Sequence, residues 1–261
     1  AATKLAALAD TQIAALAATQ IAALVTSQVQ GLNATNIGAL TTTQVAAFTA
    51  TQLTHLSTTN LRALVDTQIA ALAATKIAAL TTTQVGALQT TDVGELTETQ
   101  IAALTATQIS ALTVTNFAAL ADTQIAALTA TQLASVSTAQ VAALTETQTG
   151  ALTTTQVAAL STTQVRNLSA TNLSALDATQ AAALTATQVA NLTNTQIAAL
   201  SVGDVGELTT TQIAALTQSQ VRALTATTLA ALVDTQIAAL TATQVASLTT
   251  TNVTGLTETQ V

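Results

Sequence analysis

The stretch Ala121–Leu144 reads ADTQIAAL TATQLASV STAQVAAL, three eight-residue units end to end. The unit is Thr, any residue, Thr, Gln, Ile or Val, Ala, Ala, Leu, with slots numbered so that Leu128 and Leu144 fill slot eight. The register never slips. Slot eight is Leu in all 32 copies except Phe48 and Val136, and slot five lacks a large apolar side chain only at Thr149 and Ala181. Slot three is Thr in 29 of 33 copies, with Ser27, Ala139, Gly203 and Ser219 the exceptions. An unbroken short period marks a repeat array in which each unit buries its apolar face only against neighbours.

Three backbones have to be weighed. In one long helix, apolar residues alternately three and five apart average about four per turn against about 3.6 for the helix. The apolar stripe would then drift by about 80° per unit and no partner could cover it. A β-solenoid, the alternative fold, suits the Thr, Val and Ile content. It needs corners, however, and the chain has no Pro, eight Gly, and Ala-Ala-Leu where a turn should be. Strict alternation would also send Gln and Leu to one face.

A chain of very short helices fits best. Thr-x-Thr-Gln reads as a capping box, in which the slot-one hydroxyl accepts from the slot-four amide and the Gln reaches back to the cap. Ala-Ala-Leu supplies helix formers for the closing turn. Where slot one cannot cap, an acid follows, as in Ala9-Asp10, Val65-Asp66, Ala121-Asp122 and Val233-Asp234, and the slot-two Asp is expected to take over the cap. Ten of the twelve acids sit in slots one, two or four, while Arg62, Arg166 and Arg222 sit in slot six, the order favoured by the helix dipole. Lys4 and Lys76 in slot four break that order. The fold class is therefore all-α, a solenoid or superhelix of capped one-turn helices spanning residues 1–261 as a single continuous array. Helices this short depend on packing.

Only 7% of residues are charged, against about 25% in ordinary domains. Hydrophobic content of 49% with a net charge of −7 argues for a folded chain rather than a disordered one. Five scattered basic residues and almost no aromatics argue against nucleic-acid binding. Thr and Gln interrupt every apolar run, so no membrane-spanning helix of about 20 residues is expected. Cysteine is absent, which removes disulfides and thiolate chemistry and leaves the compartment open.

A second period lies over the first. Asp10, Asp66, Asp122 and Asp234 are separated by multiples of 56, with Asp177 one place off the series. Gly38, Gly94, Gly150 and Gly206 keep the same spacing, as do Asn60, Asn116 and Asn172 and the pair Arg166 and Arg222. Duplication of a seven-unit segment would produce this without any geometry. A superhelix that closes on seven units would also produce it, either as one wide turn or as two narrow turns of three and a half units. The narrow coil is favoured, because short Leu and Ile can fill its centre. Slot three, more uniform than the supposed cap in slot one, suggests either a Thr ladder bonding adjacent turns or a frame in which slot three is the true cap. Ala1 opens in slot one and Val261 stops in slot five, neither with a polar capping unit. The expectation is a segment of a longer protein or a subunit that stacks end to end.

Candidate chemistry is sparse. Asp92-Val-Gly-Glu95 recurs as Asp204-Val-Gly-Glu207. Carboxylates three apart share a helix face, which makes Asp92, Glu95, Asp204 and Glu207 weak candidates for calcium. The bland reading, an Asp in a favourable first turn and a solvated Glu, is preferred, so no metal, cofactor or catalytic site is assigned. His55 has no second imidazole, thiol or triad order beside it, and the three Arg are too dispersed for an anion site. Asn33, Asn167, Asn172, Asn191 and Asn252 each open an Asn-x-Ser/Thr triplet, which arises by chance in so Thr-rich a chain. No enzyme is expected.

Units such as LTTTQVAA (Leu152–Ala159) and LTATQVAS (Leu240–Ser247) resemble the octapeptide arrays of very large bacterial surface or secreted adhesin-like repeat proteins. The resemblance covers the whole chain and implies a stalk, spacer or filament segment at the cell surface or outside the cell. Its partners would be flanking repeats or a second copy joined end to end, with no small-molecule substrate. Two alternatives stay open: a binding module whose regular Thr surface recognises ice or another repetitive ligand, and an intracellular length-setting scaffold.

Overall fold

The computed structural model describes Leu5, residues 7–254 and Leu256. The readings placed on Lys4, Ala1 and Val261 lie outside these residues. The described residues form 31 helices of four to six residues at octad spacing and no strands, so the fold is an all-α repeat solenoid and the β alternative falls. The chain divides into two compact units, Ala1–Val136 and Ser137–Val261, each built by the same rule.

One helix shows how eight residues make the repeat. Helix Glu98–Ala103 starts after Thr97, whose backbone is extended (φ −69°, ψ 157°) and whose Oγ1 accepts from the Gln100 N–H at 3.2 Å. Gln100 Oε1 accepts the Thr97 N–H at 2.8 Å, completing a capping box. After one turn Leu104 is extended (φ −62°, ψ 145°), its N–H donating to the Ile101 carbonyl at 3.2 Å, and the next cap follows. Two successive extended residues redirect the chain, so no described residue has a positive φ. This is why the array needs neither Pro nor corner glycines.

The cap therefore lies in slot one, and the frame that would move it to slot three is excluded. The slot-two acids do not take over where slot one fails. Ala9, Val65, Ala121 and Val233 lack a side-chain cap, and Asp10, Asp66, Asp122 and Asp234 lie in the first turn, favourable to the dipole but beyond the cap. The Gln half of the box survives alone, as in Ala121 N–H to Gln124 Oε1 at 2.7 Å.

Slots five and eight form the core. Ile101 and Ile109 are fully buried and Leu104 and Leu112 nearly so; Phe48 and Phe117 fit at full burial. Burying each such side chain stabilises by about 1.5–3 kcal/mol. Thr149, in slot five, is fully buried and donates its hydroxyl to the Thr145 carbonyl at 2.9 Å, so the polar exception is satisfied within its own helix.

Slot four joins the turns. Gln100 is 2% exposed and its Nε2 donates to the carbonyls of Ile69 at 3.1 Å and Leu72 at 2.7 Å. In the second unit Gln220 Nε2 reaches Val189 at 2.9 Å and Leu192 at 2.8 Å. The offset to slot eight is 28 residues throughout, which is three and a half octads. Two turns therefore take 56 residues, the spacing of the Asp, Gly and Asn series, and the narrow coil is the one that forms. Hydroxyls of slot three make no such ladder. Some turn to the cap of their own helix, as Thr147 Oγ1 does to Thr145 Oγ1 at 3.0 Å, and Thr123 bonds the Glu98 carboxylate of another turn.

Replacing Gln100 with Ala removes one acceptor and both donors, leaving the Thr97 N–H and the Leu72 carbonyl unpaired. The expected loss is about 2–3 kcal/mol, read as faster amide exchange in residues 69–104. The glycines separate by space: a Cβ at Gly86 would lie 2.8 Å from the Ala111 carbonyl oxygen, and one at Gly206 meets nothing within 4 Å. Gly86→Ala should destabilise by about 1–3 kcal/mol and Gly206→Ala stabilise by about 0.5–1 kcal/mol in urea melts.

Candidate functional site

The two Asp-Val-Gly-Glu copies occupy the helices Thr90–Gly94 and Val202–Gly206, with Glu95 and Glu207 just past each end. Asp in slot four takes the place of the bridging Gln, so its side chain turns inward. Asp92 is 2% exposed and its Oδ2 accepts the Gln89 N–H at 2.7 Å, while Glu95 stands exposed. The carboxylates of that copy therefore work in different surroundings. Burial pushes the Asp92 carboxyl up, against the Gln89 N–H and the positive charge of Arg62, which favour the anion.

The second copy is more open. Asp204 Oδ2 accepts the Ser201 N–H at 2.6 Å and the Ser174 hydroxyl at 2.7 Å from the preceding turn. Glu207 is pushed above the usual carboxylate range, first by partial burial and then by the charges of Asp204 and Asp177. Asp177 is held below it by the Thr179 hydroxyl at 2.6 Å and the Gln180 N–H at 2.8 Å. Hydroxyl and amide donors already engage Oδ2 of Asp92 and of Asp204, and no group of three or more His, Cys, Asp or Glu is arranged to hold a metal among the described residues.

The other singled-out residues bond their own helices or the preceding turn. His55 follows helix Ala50–Thr54, exposed, with Nδ1 at 2.7 Å from the Thr51 carbonyl, to which it donates. Arg62, Arg166 and Arg222 lie at helix C-terminal ends. Lys76, which breaks the dipole order, donates its Nζ to the Ala46 carbonyl of the preceding turn, so it replaces the slot-four amide as a donor. Asn172 and Asn252 are buried, with their amide nitrogens bonded at 2.8 Å to Leu144 and Leu224, and Asn167 and Asn191 bond Thr163 and Thr187 at 2.8 Å. An open groove of about 350 Å³ is lined by Arg166, Asn191, Asn194, Thr217 and Ser219 among others. It brings one cation to several neutral polar groups and contains no acid, thiol or imidazole.

Sequence reasoning gave slot four a capping role and missed the interturn role. The signal was there: slot four is Gln or Asn in 28 of 33 copies, more restricted than a cap partner requires.

Residues 125–162 match the family model of the ALTTAQ repeat. The chain is a repeat protein. Within the match the motif appears as ALTATQ (Ala127–Gln132), ALTETQ (Ala143–Gln148) and ALTTTQ (Ala151–Gln156), slots seven to four of the octad. No curated protein matches the chain.

Two measurements check the site. Calcium at millimolar concentration should leave the melting temperature unchanged; a saturable rise lost in Asp204→Asn would restore the metal reading. Because Glu207 has a raised carboxyl in the folded state, its contribution to stability falls as pH rises from the ordinary carboxylate value through the raised one. Glu207→Gln should accordingly raise the melting temperature at pH 7 and leave it unchanged at pH 3.

Proposed function

We propose that the chain is a structural segment, a stalk, spacer or filament section of a bacterial surface or secreted protein, without enzymatic activity of its own. One observation carries this reading: the bond from a slot-four amide to the carbonyl 28 residues earlier recurs from turn to turn in both units. Such a rule sets no length of its own, and each added turn repeats the same core, caps and interturn bonds. The match to the ALTTAQ repeat supports a structural repeat protein. The surface location rests on the resemblance of the octads to bacterial adhesin-like arrays.

The proposed partners are flanking repeats of the same chain or a second copy joined end to end. Nucleic acid and small-molecule substrates are not part of the proposal. No described helix is long and apolar enough to cross a membrane. A second reading has one observation behind it, since slot-three threonines such as Thr43, Thr51 and Thr67 stand exposed and offer regular hydroxyls to ice. Absence of thermal hysteresis in purified protein would end it.

A spacer must change length in whole turns. Deleting residues 66–121 removes two turns and keeps the register, so the variant should fold with its melting temperature changed little and its maximum dimension in small-angle scattering reduced. Deleting only residues 66–69 breaks the octad register and should cost stability around the cut. Equal dimensions for the full chain and the two-turn deletion would overturn the spacer reading. In electron microscopy, fibres that lengthen with concentration would favour the filament form, and particles of constant length the spacer.

A further inference from the structure

We propose that Asp92 is a pH-sensitive fastener between turns: protonated, it ties its helix to the Leu64 carbonyl of the preceding turn, and ionised it leaves that carbonyl without a donor. Its neighbours define what the position does. Gln84 Nε2 donates to Leu56 at 2.9 Å, Gln100 Nε2 to Leu72 at 2.7 Å, and Asn116 Nδ2 to Leu88 at 2.6 Å, each across 28 residues. The same offset from Asp92 leads to Leu64, 4% exposed and in the core. Asp92 keeps the first half of the slot-four role, since Oδ2 accepts the Gln89 N–H. By the offset its neighbours keep, the carbonyl that falls to its second half is that of Leu64; an ionised carboxylate has no donor to give it, and a protonated one does.

Asp204, in the same slot, shows the other solution. The residue 30 positions earlier there is Ser174, whose hydroxyl donates to the carboxylate at 2.7 Å. At Asp92 the residue 30 positions earlier is Arg62, but its Nη2 donates to Gln89 Oε1 at 3.3 Å, outside the buried position. The charged groups on the elements around Asp92 are few. Arg62 follows the helix Thr58–Leu61 and favours the anion, and Asp66 on the helix Asp66–Ala70 opposes it. Glu95 lies exposed at the end of its own helix, Asp122 opens the helix Asp122–Ala127, and the helix Val114–Ala118 carries no titratable group.

Burial outweighs the favourable contacts and raises the folded-state pKa of Asp92. A raised acid binds its proton more tightly in the folded chain than in the unfolded one. The fastener therefore tightens as pH falls from the raised value toward the ordinary Asp value of about 4 and is released above it.

The test is amide hydrogen exchange of the whole chain by mass spectrometry, corrected for intrinsic rates, for the native sequence, Asp92→Asn and Asp204→Asn. In the native chain, protection of residues 57–96 should rise as pH falls from 7 to 4.5. Asp92→Asn supplies a permanent donor, so protection there should be about fivefold higher at pH 7 and independent of pH. Asp204→Asn should give no gain, because Ser174 loses its anionic acceptor. Unchanged protection at pH 7 in Asp92→Asn would overturn the proposal. So would a side-chain carboxyl ¹³C titration placing Asp92 at or below about 4.

Discussion

The slot-four side chain is the constraint on which this fold depends. A one-turn helix satisfies almost none of its own backbone groups, and isolated helices of this length do not persist in water. Gln100 meets the shortage at both ends of the helices it touches. Its oxygen takes the N–H that opens its own helix, and its nitrogen supplies the carbonyls that close a helix one turn earlier. One buried amide thus completes two helix ends, with both of its N–H donors and its oxygen engaged. Because it spans 28 residues, it also sets three and a half octads per turn.

The rest of the octad follows from that requirement. Slot one accepts from the slot-four N–H where it carries Thr or Ser, as at Thr97 and Ser137, and slots five and eight fill the space beside the amide with Ile, Val and Leu. Small residues in slots six and seven let turns approach, and where a carbonyl comes nearest, as Ala111 does to Gly86, even a methyl group is too large. Substitutions in slot four show which property matters. Asn60, Asn116 and Asn172 keep the donor at 2.6–2.8 Å and give up the capping box, whereas Asn252 makes both bonds. Lys76 keeps a donor and gives up the acceptor.

Much of this was legible in the sequence, and the limits were physical. The capping boxes and the core slots follow from local spacing, and the 56-residue series of Asp10, Asp66 and Asp122 carries the superhelical period. The Asp and Gly series also interleave at 28, with Gly38 between Asp10 and Asp66, so the single turn was written in the chain as well. What could not be read locally was the second bond of the slot-four amide, since its partner lies in another turn. The same limit applied to the Asp-Val-Gly-Glu copies. Their spacing suggests paired carboxylates, whereas burial separates Asp92 from Glu95 and a serine from another turn engages Asp204.

The turn length depends on glutamine amides fastened between turns. Protein labelled with ¹⁵N in the glutamine side chains allows their NH₂ exchange rates to be measured by NMR at neutral pH. Buried glutamines such as Gln44, Gln100 and Gln220 should exchange far more slowly than Gln12 and Gln20, which are exposed. A single fast rate for all of them would contradict the amide ladder, and with it the explanation given for the turn length.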